Sequence, residues 1–532
     1  MALYFPVIRN NVRQPIGNQM RNIRLSILLL LLSVVHASVA QVSVPNPASR
    51  RFPNIQASLA DGFYALAEQQ ARGVLREGPG DAEEREALLL LAHALWGQKR
   101  YSEMIALLKG VDDDPGYAYW RARAFFELNH YEQTLLVLDA GRETLSESHY
   151  EPVSFRLRGR AQQLLGNFSK AESAYEAFAK NYPDHSDTLD NQFDLADVYI
   201  VQKRIPEALA IYEALAEGDD RNAAQRARLK LAHVLYTEGA EENFERSRVL
   251  LSTLVEDEGT RLAYRIDACI DLAALEERAG STEEATEALK TGIALSPDAN
   301  QRVPLKLALA RMLLREDDTS GALKLLEEGR TEAPNESIAA ELQLEKAGAL
   351  LQAARYADAE EAYQVYLDVA GDPSGIARAY MGKGNALLGL DRFSESASMY
   401  DKAEKVFFDP DAKAMALFKA GDAYYQAGQL EDAEKRYRAF VVNYSQRDDI
   451  PNALYQLGLV LAKIGRRSEA LTTFGIIESS HAYSPFAEKA ALRTADVMLA
   501  SGQWEEALEK YTEISQVYTN MTDVSLSQHQ RG

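Results

Sequence analysis

The sequence predicts an all-α fold, a solenoid of stacked helical hairpins, and three observations carry that expectation. A small residue followed four positions later by an aromatic or a leucine recurs at a fixed interval. A second small residue stands twelve positions before it, and glycine or proline marks the breaks between segments. The stretch "GNFSKAESAYEAFAKNYP", Gly166 to Pro183, shows the unit: Ala171, Tyr175 and Phe178 fall four and three apart, on one stripe of a helix. A stripe that narrow builds a domain only by repetition.

The repetition is regular. The pairs Ala171/Tyr175, Ala208/Tyr212, Ala285/Leu289, Ala322/Leu326, Ala359/Tyr363, Ser396/Tyr400, Ala433/Tyr437, Ala470/Phe474 and Ala507/Tyr511 form one column, and from Ala285 onward each lies 37 residues after the last. The gap from Ala208 to Ala285 is two periods plus three residues, placed in "TEGAEENFERS", where Ser247 and Leu251 take the column places. Upstream, Met104, Thr134 and Ala71 hold the same place more weakly. Twelve residues before the column stand Gly159, Ala196, Ala273, Ala310, Ala347, Gly384, Gly421, Gly458 and Ala495, which define a first helix for each repeat. Gly166, Gly280, Gly428, Gly465 and Gly502 are placed to turn the chain, and Pro183, Pro297 and Pro334 to end the second helix. Small residues let two helices approach closely, and the ring one turn on fills the space between hairpins.

From the N-terminus, residues 1–40 read as a signal peptide. Arg9, Arg13, Arg21 and Arg24 precede the short apolar run Leu25–Val35, and small Ser38 and Ala40 stand before Gln41. Met20 is an alternative start. Cleavage would take the net charge from −21 to −25. Residues 41–55 read as a flexible leader, 56–84 as a divergent half-repeat, 85–518 as about twelve repeats and 519–532 as a polar tail. With no cysteine after the apolar run, the expected product is exported and periplasmic, without stable membrane insertion after cleavage. The acidic balance argues against nucleic acid as a partner. Beyond Val517 no covering helix is evident, so the face beside Trp504 and Tyr511 is expected to be open to self-association, unless the chain is a fragment.

"ALFKAGDAYYQAGQLEDAEKRYRAF" (Ala416 to Phe440) and "RTADVMLASGQWEEALEKYTEI" (Arg493 to Ile514) resemble the tetratricopeptide repeat family, with Gly421, Tyr424, Gly428, Ala433, Tyr437 and Phe440 at its characteristic places. The 37-residue period and the "NYP" ending at Asn181–Pro183 look like exported bacterial members, which include outer-membrane-assembly and Tol–Pal-associated coordinator proteins. The resemblance implies a right-handed superhelix whose concave wall is made by the first helices. It also implies a protein or peptide partner held in that groove.

On this expectation the inward positions lie three before and one after the small residue of the first helix. The first set includes Arg156, Phe193, Leu344, Met381, Phe418 and Tyr455, and the second includes Arg160, Asp197, Asn385, Asp422 and Asp496. The apolar members suit an extended or helical peptide, or else complete the packing between repeats. Arg123, Arg156 and Arg160 are expected to converge and bind a carboxylate, the alternative being salt bridges to Glu127, Glu143 and Glu151.

Catalytic signals are missing from the sequence. The eight histidines form no metal-spaced helical pair, "GKGN" at Gly382–Asn385 lacks a phosphate loop's spacing, and Cys269 sits in the apolar "IDACIDLAAL". The expectation is therefore a non-enzymatic scaffold without a cofactor, with a place in envelope assembly or division. The alternative is a helical solenoid belonging, or accessory, to a peptidoglycan-processing enzyme.

Overall fold

The computed structural model describes residues 51–109, 114–238, 243–369 and 372–517. The expected signal peptide, most of the leader, the tail and part of the three-residue insertion lie outside these residues. Within them stand 27 α-helices and no strand, an all-α helical-repeat solenoid. The chain divides into two compact units, one up to Ala279 and one from Gly280.

In the first unit, helices Pro53–Ala60 and Tyr64–Arg76 precede hairpins whose first and second helices include Pro115–Glu127 with Tyr131–Ala140, Glu151–Leu164 with Phe168–Asn181, and Thr188–Val201 with Ile205–Ala216. The unit ends on helix Leu262–Ala279. In the second, hairpins run from Ala299–Arg315 with Thr319–Glu332, through Glu336–Gln352 with Tyr356–Val369 and Pro373–Gly389 with Phe393–Val406. They continue through Pro410–Gln426 with Leu430–Asn443 and Ile450–Ile464 with Arg467–Ser480 to Ala487–Ala500 with Trp504–Val517. Within each unit most helices pack on their sequence neighbours, and some first helices also meet that of the next hairpin, as Glu336–Gln352 meets Pro373–Gly389.

The column is the centre of the packing. Ala71, Met104, Thr134, Ala171, Ala208, Ser247, Ala285, Ala322, Ala359, Ser396, Ala433, Ala470 and Ala507 are all 0% exposed. No larger pattern is needed to place the core: it follows these residues and the ring four positions on.

The turns inside the hairpins share one geometry. Five residues before the column stands a residue with positive φ, between +56° and +95°, at Lys99, Asn129, Gly166, Lys203, Asp317, Ala354, Asp391, Gly428, Gly465 and Gly502. The next amide closes the helix: Asn167 N–H donates to the Gln162 carbonyl at 2.8 Å, while Gly166 N–H donates to Gln163 at 3.0 Å. Alanine tolerates this conformation poorly. Ala354→Gly is therefore expected to stabilise the second unit by about 0.5–1 kcal/mol, read as a higher urea midpoint. An unchanged midpoint would show that Ala354 is not strained.

One end differs from the expectation. Tyr511 is turned inward, almost fully buried, and Trp504 (67% exposed), Leu508 (49%) and Val517 (62%) of that helix present apolar surface. The ring of Tyr511 belongs to the column, so the hairpin's own packing claims it.

Candidate functional site

The first helices carry the face on which a partner was expected, and its geometry is set by the ring-and-notch packing. A Cβ added to Gly159 would stand 2.4 Å from the Tyr175 ring, one on Gly384 2.6 Å from Tyr400, one on Gly421 2.8 Å from Tyr437, and one on Gly458 2.4 Å from Phe474. The rings thus lie where side chains would otherwise be, and their far ends reach the position one after the notch. There the tyrosine hydroxyls donate to acceptors fifteen residues earlier: Tyr212 to Asp197 (2.6 Å), Tyr400 to Asn385 (2.7 Å), Tyr437 to Asp422 (2.5 Å) and Tyr511 to Asp496 (2.7 Å). Tyr175 donates to Gln163 instead, at 3.0 Å. Where the ring is Phe474, with no hydroxyl, the corresponding residue is Leu459.

The same position reaches across to the next first helix. Lys230 Nζ lies 3.3 Å from Asp197, His233 Nδ1 3.0 Å from Asp271, Arg311 Nη2 2.7 Å from Glu345, and Lys419 Nζ 3.2 Å from Asn385. Asp197, Asn385, Asp422 and Asp496 were expected to line a ligand-facing wall; instead they serve internal bonds. Burial pushes the Asp422 carboxyl up to about 6, despite the Tyr437 hydroxyl and Lys419. Its folded value exceeds its unfolded one, so the folded protein binds this proton more tightly. Stability from this group is then highest below about pH 4 and falls until about pH 6. Asp422→Asn keeps the acceptor, as Asn385 does naturally, and loses the charge. It is expected to exceed wild type by roughly 1–3 kcal/mol at pH 7 and to match it at pH 4. A pH-independent difference between their melts would contradict this.

The three arginines do not converge on an open ligand position. Arg123 is buried, its Nη2 2.6 Å from Glu127, its guanidinium 5.6 Å from the Trp96 ring. Arg156 is 4% exposed and meets three carboxylates of its own chain: Asp194 (2.7 Å), Asp190 (3.2 Å) and Asp187 (3.4 Å). The carboxylates come from the next first helix and the loop before it, not from Glu143 or Glu151. Arg160 is half-buried, 5.4 Å from the Phe126 ring, and no ion pair engages it among the described residues. Its counterpart across to the next helix is Asp194, which Arg156 already holds.

The apolar positions divide as well. Phe193 and Leu344 are buried, and the Arg226 guanidinium sits 4.0 Å from the Phe193 ring, so both complete the packing. Met381, Phe418 and Tyr455 are half-buried and occupy equivalent places in three successive hairpins. Phe418 meets Tyr437 and Phe440 edge-on at 5.7 and 5.5 Å, which fixes its orientation, and Tyr455 lies 6.0 Å from Phe474.

Chemistry of other kinds finds little support in the geometry. Cys269 is fully buried and its thiol is pushed up to about 11 by burial, which disfavours the reactive thiolate. Among the described residues no group of three or more His, Cys, Asp or Glu side chains is placed to hold a metal, and no helix is long and apolar enough to cross a membrane.

Stacked hairpins with a polar ladder and an apolar stripe on their first helices define a helical-repeat interaction scaffold. The tetratricopeptide repeat family's profile matches residues 156–227, in the first unit, and 381–448, in the second. Comparison with curated proteins found no match. Among solved structures the chain is similar to a chain in the crystal structure of the APC/C hetero-tetramer Cut9–Hcn1. The likeness has 14% identity and a TM-score of 0.32, and covers 91% of this chain and 97% of that one.

Proposed function

We propose that the protein is a non-enzymatic scaffold, exported to the periplasm of a Gram-negative bacterium, that holds a peptide or protein partner along its first helices. The observation that carries this reading is the stripe formed by Met381, Phe418 and Tyr455. These are half-buried apolar side chains at one repeat position, packed on the core yet partly open to solvent, a row that suits an extended or helical peptide. Arg160, whose guanidinium lies over the Phe126 ring and has no ion pair among the described residues, supplies the matching candidate in the first unit. The basic flank and apolar run of residues 1–40 support export, and an exported repeat scaffold belongs most naturally to envelope assembly or division. Exposed Trp504 and Leu508 offer a separate face for self-association, which concentration-dependent mass in light scattering would reveal.

A photoreactive amino acid placed at Met381 or Tyr455 tests the groove in intact cells, with exposed Val442 on a second helix as the control. A discrete adduct from the first-helix positions and none from Val442 is the expected result. The same unspecific background from all three would remove the reading.

A further inference from the structure

The ring column contains one tyrosine that breaks its rule. Five column tyrosines donate their hydroxyls to a side chain of the preceding helix, and four of those acceptors stand fifteen residues earlier. For Tyr363 the residue fifteen earlier is Gly348, which has no side chain to offer. The ring is 5% exposed, yet its hydroxyl has no hydrogen-bond partner among the described residues. Unlike the enclosed Tyr150 hydroxyl, this oxygen keeps contact with solvent.

The same place is cut from the other side. In neighbouring repeats the residue facing across from the next first helix is charged: Lys230, Asp271, Glu345 or Lys419. Here it is Gly382. A Cβ on Gly382 would stand 2.1 Å from the Tyr363 ring and 2.3 Å from its hydroxyl, so that glycine is required for the ring to pass. Gly348 is not required in this way. Its added Cβ would lie 3.9 Å from the Tyr363 hydroxyl, an ordinary contact, and glycine is unfavourable inside a helix. The missing side chain therefore leaves open the place where Asp422 or Asn385 puts its acceptor. Two charges act on Tyr363 here: the Glu345 carboxylate, which Arg311 already pairs at 2.7 Å, and Arg378, exposed and one turn before Gly382.

We propose that the gap between Gly348 and Gly382 is a subsite for an acidic side chain of a bound peptide. Its carboxylate accepts the Tyr363 hydroxyl's hydrogen bond, in the place of the missing Asp or Asn, and pairs with Arg378. This rests on the groove reading and adds to it the chemistry of one contact. A charge-assisted hydrogen bond of this kind contributes about 10- to 100-fold in affinity.

The test is selection of a random dodecapeptide phage library on the full chain, with recovered peptides titrated against wild type, Gly348→Asn and Tyr363→Phe. Gly348→Asn supplies the internal acceptor and is expected to melt at or above wild type, so weaker binding by it cannot be blamed on unfolding. The expected result is peptides with a required Asp or Glu that bind both variants about tenfold or more weakly, and Arg378→Ala more weakly as well. Peptides that bind all the proteins equally, or need no acidic residue, overturn the subsite and leave the groove reading standing. A library that yields no binder overturns both.

Discussion

Tyr437→Ala is expected to destabilise the second unit by about 3–5 kcal/mol. The ring is 0% exposed, lies where a Gly421 side chain would be, and meets Phe418 edge-on at 5.7 Å. Truncation leaves a ring-sized cavity between two helices that cannot close on it, because Ala433 and Phe440 hold the surrounding stripe fully buried. It also leaves Asp422 without the hydroxyl it accepts at 2.5 Å, in a place already unfavourable to its charge. In a stack of repeats the damage is local before it is global. Hydrogen exchange should therefore accelerate most in helices Pro410–Gln426 and Leu430–Asn443, with the urea midpoint lowered. A melt indistinguishable from wild type would refute the packing described for this hairpin.

Arg156→Met is expected to cost the first unit about 3 kcal/mol. Methionine replaces the buried stem but not the charge, and Asp187, Asp190 and Asp194 are left facing one another. Arg226, 2.7 Å from Asp190, compensates only that carboxylate. The figure is taken at the low end for a broken buried cluster because Asp190 and Asp194 keep some contact with water. Thermal unfolding of the two proteins side by side measures the difference. Were Arg156 instead a ligand-binding residue with spare donors, its replacement would leave the melt unchanged and alter only partner binding.

How much of this was legible in the sequence depends on the distance over which each interaction acts. The column, the notches and the turn glycines are local to one hairpin, and spacing alone places them: every column residue proves fully buried, and the five turn glycines all have positive φ. The partners of Arg156 were missed because sequence proximity pointed to Glu127, Glu143 and Glu151. A stack of hairpins instead brings in residues about one period away, and Asp187, Asp190 and Asp194 lie 31 to 38 residues on. The roles of Asp197, Asn385, Asp422 and Asp496 were misjudged for a related reason: a polar residue on an inward position looks free until its partner is known. A signal was present in the chain itself, since the tyrosines at 212, 400, 437 and 511 each follow an Asp or Asn by fifteen residues while Phe474 follows Leu459. The same comparison picks out two exceptions, Arg160 before Tyr175 and Gly348 before Tyr363.

The central claim is that hairpins nest because rings occupy notches, and the Gly458/Phe474 pair isolates that contact without a hydroxyl to confuse it. The decisive measurement is a set of urea melts for wild type, Gly458→Ala, Phe474→Leu and the double variant. In wild type the added methyl meets the ring at 2.4 Å, so Gly458→Ala should destabilise by about 1–3 kcal/mol. With leucine at 474 the notch is relieved, as it is where Ala310 stands before Leu326, and the same substitution should be neutral or stabilise by up to about 1 kcal/mol. An equal effect of Gly458→Ala in both backgrounds, additive to within about 0.5 kcal/mol, would contradict the account.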